Sequence, residues 1–184
     1  MQRNPTPVIL FNAGDFRTAE TTRATNLDPI SAEILCSLQN FLHGAAEGDA
    51  ASGTIYVLRS KSDHPLVAEN RSLVHKIGVT NASVEQRIAG ARLQPTFLMA
   101  DVEVVATYDL YNINRAKLEH LIHRVFAPAR LDIEIKDRFG KPMIPREWFL
   151  VPLYAIDDAV EKIRNGSISG YRYDPRAAKL EESS

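Results

Sequence analysis

Between Thr54 and Val151 the spacing of apolar residues switches repeatedly between the two-residue period of a strand and the helical period, and this restricts the fold more than any other feature. Thr54 to Arg59 is β-branched and aromatic and predicts a strand. Ser60 to Ser72 is charged, contains Pro65 and reads as a loop, and Leu73 to Val79 alternates into a second strand. Ser83, with Gln86 in the capping-box position, predicts a helix that runs to about Leu93. Asp101 to Tyr111 is a valine-rich third strand, and Asn114 caps a helix that reaches Phe126. Arg130 to Glu134 and Glu147 to Val151 read as further strands, separated by a turn at Phe139-Gly140-Lys141-Pro142. Ala155 to Arg164 is a final helix, closed by Asn165-Gly166. Two strands joined by a loop, then helix, strand and helix, make an α+β fold in which the first two strands pair antiparallel.

The flanks differ. Residues 1–50 are expected to form an N-terminal helical extension: Val8 to Phe11 as a short strand or anchor, then a helix from Pro29 bearing Ile30, Ile34, Leu35, Leu38, Phe41 and Leu42. Gly44 to Gly53 reads as a linker, residues 51–166 as the main domain, and residues 167–184 as a polar, frayed tail. The one cysteine, Cys36, excludes an intramolecular disulfide and a cysteine-rich zinc site. No apolar run approaches the ~20 residues that cross a membrane, and the polar start argues against a signal peptide, so a cytoplasmic protein is expected. A net charge of −1 leaves nucleic-acid binding to a local basic patch.

Several polar residues sit at the edges of apolar faces. Arg87 lies one turn from Val84 and Ala91, and Arg92 flanks the same stripe; snorkelling over the core is the plain reading of both. Glu119 and His123 share one edge of the Asn114 helix, where a carboxylate requires a partner or a metal. Tyr56 and Lys76 could be an ordinary cross-strand pair, and Gly78 suggests close approach of a backbone or a ligand.

Their order carries more than any one of them. Ile55-Tyr56, Lys76-Ile77-Gly78 with Thr80 behind it, Arg87, Glu119 with His123 one turn on, and Glu147-Trp148-Phe149 together resemble the GIY-YIG nuclease superfamily. The likeness is to a branch common in bacteria and bacteriophages, and it spans roughly Thr54 to Val151. It implies a small central antiparallel sheet flanked by helices, and a metal-dependent endonuclease acting on DNA. Thr54 stands in place of that superfamily's first glycine, with Gly53 just before it, and Lys76 in place of its second tyrosine.

The resemblance implies that Glu119 holds one divalent cation, Mg²⁺ or Mn²⁺, and that Arg87 clamps the scissile phosphate. Tyr56 would position or deprotonate the attacking water, which needs a nearby positive charge, and Lys76 could supply it. His123 joins as a further base or as an orienting group; Gly78, Thr80, Arg92 and Trp148 are expected to contact substrate. Two other readings stand beside this one: a non-catalytic nucleic-acid-binding module, and a protein-interaction domain using Trp148, Phe149 and the N-terminal helix. Lys136, Arg138, Lys141 and Arg146 form a basic stretch that reads either as a backbone-tracking patch or as a solvated hairpin.

Overall fold

In the computed structural model the described residues are 51–111 and 114–183. The expected helix from Pro29, the Val8–Phe11 segment and Cys36 lie outside them. A four-stranded antiparallel sheet organises the rest, in the order β3-β1-β2-β6. Its strands are β1 (Ala51–Ser60), β2 (Val74–Thr80), β3 (Val102–Tyr111) and β6 (Trp148–Leu150). The α+β arrangement of a small antiparallel sheet flanked by helices is as expected.

Alternation along β1 decides which residue faces which layer. Ile55 and Val57 point towards helices α3 (Arg115–Val125) and α4 (Leu153–Arg164), joining Leu118, Leu121, Ile122, Ile156 and Ile163 in the main core. Tyr56 and Leu58 point the other way, to a smaller cluster with Val84, Ala91 and Phe97. A third cluster gathers Val67, Val74, Leu98, Leu131, Ile133 and Trp148. Among the described residues no helix is long and apolar enough to cross a membrane.

Local signals act where expected. Ser83 accepts a hydrogen bond from the Gln86 amide, and Asn114 one from Lys117. The helix that Ser83 opens is shorter than predicted, however. It is α2, Val84–Ile88, and Gly90 in the left-handed region (φ 71°) turns the chain into a separate 3-10 turn at Ala91–Leu93. The loop between β1 and β2 contains a short helix, α1 (Pro65–Glu69), which buries Val67. The strand expected at Arg130–Glu134 is reduced to one bridge, Arg130 with Phe149; the next strand is β4 (Ile135–Lys136), paired with β5 (Pro142–Met143).

The tail is not frayed. Strands β7 (Tyr171–Asp174) and β8 (Lys179–Glu182) pair as a hairpin, and Ile168, Tyr173 and Leu180 enter the main core. Tyr173 packs its ring 5.6 Å from that of Phe126. A polar composition concealed the segment because only these few apolar side chains are needed to dock it.

Candidate active site

The strand register builds the site. Tyr56 is opposite Gly78 on β2, whereas Lys76 is opposite Leu58, so Tyr56 and Lys76 are not the cross-strand pair considered from the sequence. The close approach expected at Gly78 is that of the tyrosine ring. A Cβ built on Gly78 would lie 2.4 Å from the Tyr56 hydroxyl oxygen and 2.5 Å from Cζ. Gly53 is equally constrained: at φ 143°, beside a register shift in β1, its Cβ would meet the Thr80 carbonyl oxygen at 2.5 Å.

Arg87 brings its guanidinium from α2 near enough to Tyr56 for its charge to act on the hydroxyl. Tyr56 is only 1% exposed. Burial raises its pKa above the ordinary 10.0; the Arg87 charge opposes that rise and the Glu119 carboxylate adds to it. The cation whose charge acts on Tyr56 is Arg87; Lys76 is not among the groups that shift it. Lys76, fully buried, is ion-paired with Glu147. Burial, and then the Arg87 charge, draw the Lys76 ammonium down to about 7, against the pull of Glu119.

Phe97 is the floor of this group. The Lys76 ammonium lies 5.0 Å from its ring centroid and the Arg87 guanidinium 5.2 Å. A 3-10 turn, Pro95–Phe97, presents the ring, followed by Leu98 and Met99 in the left-handed region. Two consecutive non-glycine residues there cost about 1 kcal/mol each. Buried Leu98 and the Trp148 indole, which donates to the Thr96 carbonyl at 3.0 Å, hold the turn in place.

Glu119 and His123 arrive from α3 at the edge of β2. Strand β6 covers that edge only from Val74 to Lys76. Beyond it, the Val79 amide donates to Glu119 Oε1 at 3.2 Å, and His123 Nε2 lies 2.8 Å from the Ile77 carbonyl oxygen. A carbonyl only accepts, so Nε2 carries the proton and Nδ1 is the basic nitrogen. Burial, foremost, lowers the His123 pKa below 6.5. Glu119 Oε2 makes no hydrogen bond among the described residues. No group of three or more His, Cys, Asp or Glu side chains able to hold a metal occurs among those residues. A cation at Glu119 would thus have one protein carboxylate and complete its shell with water and phosphate, a set that Mg²⁺ accepts.

Other expected contact residues are placed differently. Arg92 sits on the 3-10 turn beyond Gly90 and is engaged by Asp101 through two hydrogen bonds. Trp148 is fully buried, so its part is to pack the core rather than to touch substrate. The Thr80 hydroxyl accepts from the Ala82 amide at 3.1 Å and is largely enclosed. Phe97 escaped sequence reasoning because one aromatic in a proline turn has no periodicity. The tie between Lys76 and Glu147, 71 residues apart, likewise left no local signal.

Comparison with known proteins corrects the family read from the motifs. The family model that matches, over residues 53–164, is the T5orf172 domain and not GIY-YIG. This is a nuclease-related, DNA-binding type of domain. A curated relative, the uncharacterised protein YeeC of Bacillus subtilis (strain 168), is 41% identical over 122 residues, which is 66% of this chain. The chain spans about a third of that relative's length (32%). No solved structure matches. With its family model covering more than half of its length, the chain belongs to the T5orf172 domain family.

Proposed function

We propose that the protein is a divalent-metal-dependent endonuclease that hydrolyses DNA phosphodiester bonds at the Tyr56–Arg87–Glu119 group. The observation that carries this reading is that a guanidinium and a carboxylate from two separate helices both lie near enough to one buried tyrosine for their charges to act on its hydroxyl. Arg87 has no carboxylate partner among the described residues and is half-buried, so its planar fork is available to a phosphate. A phosphate that draws Arg87 towards itself also uncovers the Tyr56 hydroxyl. With its pKa raised, Tyr56 acts as a neutral hydroxyl that orients the attacking water. Glu119 would hold Mg²⁺ or Mn²⁺ through Oε2; when bound, the ion supplies Lewis-acid stabilisation of the leaving oxygen. Lys76, ion-paired with Glu147 and packed over the Phe97 ring that Arg87 shares, adds a second positive charge beside the group.

Supercoiled plasmid incubated with Mg²⁺ or Mn²⁺ tests this. The parent protein nicks it, and Arg87→Ala and Glu119→Ala each lower the rate by about 100-fold or more, the scale of losing one charge-stabilising group. Equal nicking by all three proteins excludes the assignment.

A second reading has one observation in its favour. Tyr56 and Lys76 are almost wholly enclosed, and Glu119 and His123 each complete the β2 edge, as they would in a module that binds DNA without cutting it. Metal-independent binding without nicking selects that reading.

A further inference from the structure

Strands β4 and β5 form a two-rung hairpin whose tip is Asp137 to Lys141. The tip is held tightly by its own backbone and one carboxylate. Asp137 Oδ1 accepts from the Phe139 and Lys141 amides, both at 2.8 Å, and the Asp137 and Lys141 backbones bond at 2.9 Å. Gly140 supplies the left-handed residue, at φ 80°. None of this fixing uses the Phe139 side chain, yet Phe139 is 78% exposed, the most exposed of the large hydrophobic residues described. The Arg138 guanidinium lies 4.8 Å from its ring centroid, which orients the ring without covering it.

Charge adds a second, independent observation. The chain as a whole is slightly acidic, but from Ile135 to Arg146 it has Lys136, Arg138, Lys141 and Arg146 against Asp137 alone. All four basic residues are exposed. Arg146 directly precedes Glu147, the partner of Lys76, so the hairpin is rooted beside the site. Bases in a continuous duplex are already stacked on one another, whereas an unpaired base offers a free π-face to an aromatic side chain flanked by cations.

We propose that the β4–β5 hairpin is a nucleic-acid finger that seats Phe139 against an unpaired base while Lys136, Arg138, Lys141 and Arg146 follow the adjoining phosphates. The protein then prefers DNA containing a single-stranded or distorted stretch over continuous duplex. The inference rests on the DNA-directed reading of the neighbouring site and names the kind of DNA that site receives.

Fluorescence anisotropy with the full chain, in EDTA so that no strand is cut, tests it on end-labelled oligonucleotides, one fully paired and one with a central unpaired stretch. The expected result is tighter binding to the unpaired stretch, weakened about tenfold in Phe139→Ala with duplex binding unchanged. Phe139→Trp retains the preference, and its exposed indole is quenched by the unpaired strand over a constant background from buried Trp148, the native chain's one tryptophan. Equal binding of the parent to both oligonucleotides, or a preference that survives Phe139→Ala, overturns the finger. Failure to bind either oligonucleotide overturns both the finger and the DNA reading. A preference lost in Phe139→Ala in a protein that nicks no plasmid upholds the finger and removes only the hydrolytic assignment.

Discussion

Gly78 has no side chain because the Tyr56 ring occupies the space where one would be. Backbone freedom is not the issue here; strand geometry suits any residue, and the constraint is volume alone. Alanine at this position must push the ring off its place over β2, and with it the hydroxyl on which the Arg87 charge acts. Overpacking of this kind costs about 1–3 kcal/mol. We expect Gly78→Ala to lower the urea midpoint accordingly, and to lose less when introduced into a Tyr56→Leu background, where the ring is gone. Additive losses in the double variant would show that the clash is not what the glycine avoids. Lys76 illustrates a different economy: its buried ammonium keeps an ion pair with Glu147 and lies over Phe97. A buried pair of this kind is valued for where it fixes two elements more than for net stability.

At the scale of elements, the informative junction is the edge of β2 beyond Lys76. Strand β6 is too short to pair with it, and α3 finishes the ladder with two side chains in place of a backbone. Glu119 consequently has two parts that substitution can separate. Glu119→Gln keeps an acceptor for the Val79 amide but removes the charge; Glu119→Ala removes both. Native-state hydrogen exchange should find the Val79 amide still protected in Glu119→Gln and deprotected in Glu119→Ala. The alanine variant alone should lose about 1 kcal/mol of stability. Plasmid nicking should be lost in both. Unchanged exchange in the alanine variant would mean that the hydrogen bond does not hold the edge. The elements themselves were largely legible, because caps and periods are local: Ser83, Asn114 and Asn165-Gly166 mark helix ends where the helices do end. The left-handed Gly90 ends the Ser83 helix early, so Arg92 belongs to the 3-10 turn beyond it, a break that the helical spacing of apolar residues does not show.

At the scale of the whole molecule, burial disfavours the charged form of two histidines among the described residues, His75, which is fully buried, and His123, which is half-buried. His75 Nδ1 donates to the Val151 carbonyl at 2.8 Å, and burial, foremost, lowers its pKa below 6.5, as it does for His123. The unfolded chain takes up protons at these positions near pH 6.5 while the folded chain does not. Stability is therefore whole above that pH and is lost as pH falls through the depressed folded values. Urea unfolding across roughly pH 5 to 8 should show this decline, and His75→Gln with His123→Gln should flatten it. A decline of the same steepness in the double variant would assign it to carboxylates instead. What the sequence concealed at this scale is long-range: the register that sets Tyr56 over Gly78, the tie from Lys76 to Glu147, and the docking of Tyr173 and Leu180. None of these has a spacing to betray it, since each depends on where distant segments meet. The grouping of Tyr56, Arg87 and Glu119 was readable only from the order of short motifs, and the wider family name drawn from that order did not hold.

The hairpin of β7 and β8 also governs timing. Leu180 and Tyr173 complete a core that β1 enters from Ala51 onward, so during synthesis that hydrophobic face stays open until β8 has left the ribosome. Through that interval the sheet can assemble but cannot be sealed. A translation product broken off before Tyr171 would leave that face open, a surface of the kind that chaperones and proteases engage.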